Sequence, residues 1–425
     1  MQRSAIRMVG QDGGREHWLT PRHFNVMLAW SWACVWALVL GAGCSDKPKE
    51  SAKESPATVA PQTPVKIGFI NSLTGPEAPI GENLTNGAEL ALEDLKARGV
   101  AVELIKQDDV GKPQVAMSAM EQLATGDQVS AILGPYTSAN SNAVAKLAQQ
   151  YKVPQLIPVA SKDDITRQGY EWVFRLNAVA TQYARSLIDA ALAFGQPKSV
   201  AFIYESADFG TSVSAAGKLY AKEKGLAVVA DETYQKGAPD YRSTLSKIKG
   251  AAPDLVFMVS YVADAILIMR QAREVGLTPQ AFLGGGAGFE TAQFESERDI
   301  SNLVFSVTQW TPGMEWPGAS DFAQRYQKKF GKKPSYHAAC SYASMVLLGE
   351  TAAKVGGDRK KLRDALAAGS WQGIMGDVKF ESYDGFTQQN RHEMAVIQYQ
   401  NGSSVVVYPP AKAKAKAVYP FPGWK

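Results

Sequence analysis

Short, uninterrupted apolar runs separated by amphipathic helical stretches recur along this chain, and that alternation limits its fold more than any other feature. It begins at VKIGFI (65–70) and continues through AELALEDLKARG (88–99), VELIKQ (102–107), a helical stretch over 113–124, VSAIL (129–133), a helix over about 140–151 and PQLIPV (154–159). Strands apolar on both faces, each followed by a helix, predict a parallel sheet with helices on both sides. The pattern then restarts. TQYARSLIDAALAFG (181–195) reads as helix, SVAFIY (199–204) as strand, SVSAAGKLYAKEKG (212–225) as helix and AVVADETY (227–234) as strand. YRSTLSKIKG (241–250) and ADAILIMRQAREVG (263–276) are helical around the strand DLVFMVS (254–260), and QAFLGG (280–285) is the next strand. Two α/β units of similar size imply two lobes.

The last third differs. It offers helices at 321–331, about 337–355 and 360–369, then EMAVIQY and SVVVY (393–408) joined through Asn401-Gly402. Asn-Gly between alternating runs is a strong hairpin signal. Such leftover elements suit a chain that returns to complete both lobes.

Composition narrows the function. With 45% apolar and 20% charged residues and a net charge of +4, the chain has an ordinary globular balance. Arg3, Arg7, Arg15 and Arg22 against Asp12 and Glu16 place half of that excess in the first 44 residues. The remainder is too balanced to imply a nucleic-acid partner. His337 and His392 stand at no metal-ligand spacing, the glycines of 284–288 lack the Lys-Ser/Thr of a phosphate loop, and no GxSxG occurs. The sequence thus predicts neither cofactor, nor metal, nor catalysis.

The N-terminus reads as an export signal. VMLAWSWACVWALVL (26–40) is uncharged and apolar, preceded by Arg15, Arg22 and His23 and followed by Gly41-Ala42-Gly43-Cys44. Its length suits a signal core rather than a membrane span. The end resembles a bacterial lipobox, which makes Cys44 the expected lipidation site, although Gly41 stands where Leu is usual. Residues 45–64 carry four prolines, no aromatic and mixed Lys and Glu, the composition of a flexible tether. Cys340 is alone in the body and reads as a small core residue.

Several stretches together resemble the type I periplasmic binding proteins, in the leucine/isoleucine/valine-binding branch that serves ATP-driven importers. They are IGFINSLTGPEAPIGENLTNGAELALEDL (67–95), IKQDD (105–109), ILGPYTSANSNAVAKLA (132–148), VPQLIPVASKDDIT (153–166), FRLN (174–177), YESADFGTSV (204–213), YVADAILIMRQAREVGL (261–277) and YPFPGW (419–424). The resemblance implies two Rossmann-like lobes joined by three crossover strands, with a ligand between them. The expected division is a signal peptide over 1–44, a linker over 45–64, a first lobe of 65–178 and 310–382, a second of 179–309 and 383–410, and a tail of 411–425. It also implies a lipid-anchored protein of the cell envelope that captures a hydrophobic amino acid or similar small carboxylate for an ABC permease.

Ligands of open α/β sheets sit at the carboxyl ends of strands, where helix starts present free N–H groups to anions. Ser138 and Ser161 each open an expected helix there, and an ordinary N-cap is the competing role for either. By resemblance, both take the positions that hold an amino acid's α-carboxylate or amino group, and Val159 offers a backbone carbonyl to the ammonium. Phe209 and Tyr261 match rings that close from the second lobe, and Tyr136 joins them from the first. Trp310 is a weaker candidate, with core packing the better reading. The acid that leucine-type members place against the ammonium is absent, because Gly286 or Ala287 stands there. A buried ammonium without a partner is costly. Asp264, Glu290, Glu205 and Glu77 are the available substitutes, Asp264 foremost by position, although an acid in a helix's first turn is common for its own sake. The alternative is a ligand with no ammonium, such as an aromatic carboxylate, an amide or a urea. A lipoprotein interaction or sensor module on the same fold is a further alternative.

Overall fold

The computed structural model describes residues 63–424, so the signal segment, Cys44 and nearly all of the tether lie outside the described residues. Two sheets organise the rest. The first begins with β1 (Val65–Asn71), β2 (Val102–Asp108), β3 (Ala131–Leu133), β4 (Gln155–Ile157) and β5 (Val173–Arg175), alternating with α1 (Ala78–Ala97), α2 (Pro113–Glu121) and α3 (Ser138–Tyr151). The second begins after α4 (Ala180–Phe194), with β6 (Ser199–Glu205), β7 (Ala227–Tyr234), β8 (Leu255–Val259), β9 (Ala281–Gly284) and β10 (Phe305–Thr308). Its helices are α5 (Asp208–Glu223), α6 (Arg242–Gly250), α7 (Val262–Glu274), α8 (Ala292–Ser296) and α9 (Arg298–Ser301). The chain ends with α10 (Ala319–Phe330), α11 (Tyr336–Lys354), α12 (Arg359–Ala368), β11 (Ser370–Gly373), β12 (Gly376–Tyr383), β13 (Phe386–Asn390), β14 (Ala395–Gln400) and β15 (Ser403–Tyr408).

Burial explains the central strands. Every residue of β1 except Lys66 is buried, and all five of β8 are, so both run through a double-sided core. Each fully buried Leu, Ile, Val or Phe there contributes about 1.5–3 kcal/mol. Helix α1 turns Ile80, Leu84, Ala88, Ala91 and Leu95 inward at helical spacing, against α11.

The strand orders are β11-β12-β13-β5-β4-β3-β1-β2 and β15-β14-β10-β9-β8-β6-β7. Strands β1 to β5 pair in parallel, as do β6 to β10, and antiparallel strands complete one edge of each sheet. Strand order reverses at β1/β3 and at β6/β8, and both reversals open ligand crevices at the strands' carboxyl ends.

The chain passes between sheets three times, after β5, after β10 and after β13. Residues 386–390, expected in the second lobe, belong to the first, because β13 pairs with β12 and β5. The helix expected over 113–124 gives way after Glu121 to a wider turn through Gly126. The Asn401-Gly402 hairpin forms as expected, with φ of 52° and 78°. Trp310 is fully buried, edge-on to Phe322, in keeping with the core reading.

Candidate functional site

The carboxyl ends of strands from both sheets face one narrow cavity, whose free volume of about 10 Å³ is room for about one water. The first lobe supplies Tyr136 and Ser138 after β3, Val159, Ala160 and Ser161 after β4, and Tyr336 from α11. The second supplies Tyr183 from α4, Phe209 after β6, Tyr261 after β8 and Ala287 after β9. Six of the seven expected residues therefore come together, and Asp264 does not.

The serines meet. Ser138 is the first residue of α3, while Thr137 is its cap and accepts the Asn140 N–H. Ser138 Oγ in turn accepts the N–H groups of Ser161 and Lys162, each at 3.3 Å. Ser161 does not open an α-helix. Lys162 keeps an extended ψ of 126°, and a short turn over 163–166 follows. The reason is Arg175, fully buried, whose guanidinium holds the carbonyls of Lys162 (2.6 Å) and Ala160 (3.4 Å). Burial pushes Arg175 down to about 10, so it remains charged at neutral pH. The start of α3 and the amides of an extended turn thus meet at Ser138 Oγ. The Ser161 and Tyr136 hydroxyls are both buried and have no hydrogen-bond partner in the protein. An anionic oxygen suits such donors.

The walls are rings. Tyr136 stands edge-on to Tyr261 with centroids 6.0 Å apart, and Phe209 lies 5.5 Å from Tyr261. His337 stacks on Tyr336 at 3.9 Å, and burial pushes it down to about 3, which leaves it neutral. Tyr183 and Tyr336 were not singled out by sequence. Each sits in the first turn of a helix with no local motif, and only the crossovers bring it to the cavity.

No acidic side chain lines the cavity. The reason lies partly in Tyr183. Gly286 has a φ of 84°, and a Cβ there would stand 2.5 Å from the Tyr183 ring. The ring fills the space that a side chain at 286 would need. The four nominated acids are engaged elsewhere. Asp264 accepts Tyr241 Oη (2.8 Å) and the Gly237 N–H (3.0 Å). Glu205 accepts the N–H groups of Ala207 and Gly210. Glu290 accepts Thr308 Oγ1 at 3.2 Å, and burial pushes its carboxyl well up. Glu77 pairs with Lys236. The Val159 carbonyl, assigned to an ammonium, already accepts Asn177 Nδ2. A larger groove of about 380 Å³ beside Glu290 and Trp310 shares no residue with the cavity. Among the described residues no cluster of His, Cys, Asp and Glu could hold a metal, and no helix is long and apolar enough to cross a membrane.

A buried amide network ties the cavity to the crossovers. Gln309 donates through Nε2 to Asn177 Oδ1 and to Tyr183 Oη (2.9 Å), and through Oε1 accepts the Ala178 N–H. Gln389 Nε2 donates to the Asn177 carbonyl, and His392 Nε2 lies 2.8 Å from the Gln309 carbonyl.

A profile of the periplasmic binding protein family matches residues 64–404. The chain belongs to that family. Leu/Ile/Val-binding protein homolog 7 of Brucella suis is 30% identical over 374 residues, spanning 82% of this chain and 92% of that protein. Among solved structures of the binding-protein fold, LivJ of Streptococcus pneumoniae in complex with isoleucine superposes with a TM-score of 0.74 at 24% identity, covering 84% of this chain and all of that one. A solute-binding protein of an R. palustris ABC transporter, in complex with benzoate, also gives 0.74, at 22% identity over 84% and 98%. Type I periplasmic binding proteins share the two mixed sheets described above. The family consists of substrate-binding transport proteins of ABC systems.

Proposed function

We propose that this binding protein captures a small apolar or aromatic carboxylate without an α-ammonium group, closes over it, and delivers it to an ABC permease. The observation that carries this is the absence of any acid from a cavity that offers Ser161 Oγ and Tyr136 Oη, both buried and without a partner. Those donors match a carboxylate's lone pairs, whereas an ammonium would enter unpaired at a cost of several kcal/mol. The rings of Tyr136, Tyr261 and Phe209 would cover an apolar body. In this reading the chain is held to the membrane through lipidated Cys44, with the 45–64 segment as tether, so that closure occurs within reach of the permease.

A second reading, capture of a branched-chain amino acid, is favoured by the Leu/Ile/Val-binding homologues. It requires the Val159 carbonyl, already bonded to Asn177 Nδ2, to accept the ligand's ammonium on its second lone pair. Calorimetric titration of ligand-stripped protein with benzoate, 4-hydroxybenzoate, L-leucine and L-isoleucine separates the two. Tighter binding of the amine-free acids supports the first reading, and tighter binding of the amino acids replaces it with the second.

A further inference from the structure

Three of the four acids near the cavity surround one side chain that the family resemblance does not single out. Lys236 leaves the loop after β7 in the second lobe and forms an ion pair with Glu77, which follows β1 in the first. Its ammonium sits 5.2 Å from the centroid of the Tyr261 ring, the ring that walls the cavity. It also lies close enough to Glu205 and Asp264 to favour their charged forms against burial. Glu77, 3% exposed, is near enough to the Tyr136 and Tyr261 hydroxyls to disfavour their ionisation. A protein-borne ammonium thus stands among the carboxylates that a ligand's ammonium would otherwise seek, separated from the cavity by one aromatic ring.

We infer that Lys236 is a specificity-determining residue. Through its pair with Glu77 across the closed lobes and its seat on Tyr261, it supplies the positive charge that a ligand ammonium supplies elsewhere, and so selects acids that lack one. This rests on the amine-free reading above. The physical basis is that a fixed cation raises the affinity of a nearby anion and opposes a second cation, and that specificity is the difference between the two. Lys236 does not touch the ligand. It acts through Tyr261 and through its field at the cavity wall.

The test compares benzoate and L-leucine by calorimetry on ligand-stripped wild type, Lys236→Met, Lys236→Arg and Glu77→Gln. Lys236→Met should lose about tenfold or more in benzoate affinity with no loss for leucine, and Lys236→Arg should stay within about threefold of wild type. Glu77→Gln leaves the lysine's charge uncompensated, so the ratio of benzoate to leucine affinity should rise even if closure weakens. This readout holds should Lys236→Met fail to fold. Wild-type benzoate affinity in Lys236→Met, or a fall of the ratio in Glu77→Gln, overturns the role of Lys236 and leaves the amine-free reading standing. A wild type that prefers leucine, or binds neither probe, overturns that reading and this inference together.

Discussion

The ring of Tyr136, from the first lobe, meets that of Tyr261, from the second, edge to face at 6.0 Å and an interplanar angle of 73°. The contact spans the two lobes at the cavity wall, so parting the lobes would break it. Two ion pairs of opposite polarity flank it, Glu77–Lys236 and Lys162–Asp208 at 3.0 Å. Tyr261→Ala should therefore weaken ligand binding by about 1–3 kcal/mol through lost ring burial and packing, measured by calorimetry with the best ligand of the panel. Unchanged affinity would show that the ring walls nothing the ligand touches.

The unpartnered hydroxyls give a second test. Ser161→Ala should cost about 1–3 kcal/mol of binding if its Oγ donates to a buried carboxylate, while leaving the melting temperature nearly unchanged. Tyr136→Phe should cost about 0.5–1.5 kcal/mol in the same titration. A loss of stability without loss of affinity would make Ser161 a structural group.

Ala287 lines the cavity and has a φ of 45°, a left-handed conformation that Asp tolerates better than Ala. Ala287→Asp should place a carboxylate where none stands and fold normally. Its leucine affinity should rise and its benzoate affinity fall, each by about tenfold. The same change at Gly286 should instead destabilise the protein, because the Tyr183 ring leaves no room for a side chain. Thermal melts of the two variants, with the paired titrations, check both statements.

Buried His337 supplies a pH dependence. Its folded value is lowered from 6.5 to about 3 by burial, so the folded state favours the neutral ring. A lowered value means stability that is present above about pH 6.5 and is lost as pH falls from there toward 3. The melting temperature should decline over that window, and His337→Phe should flatten the decline. An equally steep fall in the variant would assign the acid sensitivity to other groups.

Much of this architecture was readable because doubly buried strands carry an unmistakable apolar signature, as in β1 and β8. The elements that escaped reading are those with another signature. Strand β11 alternates exposed and half-buried residues, and β13 is the polar FTQQN, yet Gln389 and Asn390 are buried in it to serve the crossover network. SKDD after β4 looks like the start of a full helix, but the partner that holds Lys162 extended, Arg175, lies thirteen positions along the chain. Tyr183 and Tyr336 reach the cavity through long-range topology that no local pattern encodes. Asp264 was misplaced for the converse reason. Its position beside Tyr261 in sequence is close, but the first turn of α7 directs it to Tyr241 and Gly237.

The crossover network predicts its own mutational signature. Gln309→Leu leaves the Ala178 N–H without its buried partner and Asn177 Oδ1 with Tyr183 Oη alone, and should cost about 1–3 kcal/mol of stability by denaturant melt. Tyr183→Phe, which keeps the ring and loses only its hydroxyl bonds, should cost less.

The most direct measurement is native mass spectrometry of the freshly purified protein, with fragmentation of whatever the closed lobes retain. The account predicts a small organic acid containing no amine nitrogen, released together with the protein's return to its unliganded mass. Retention of leucine, isoleucine or valine would contradict it.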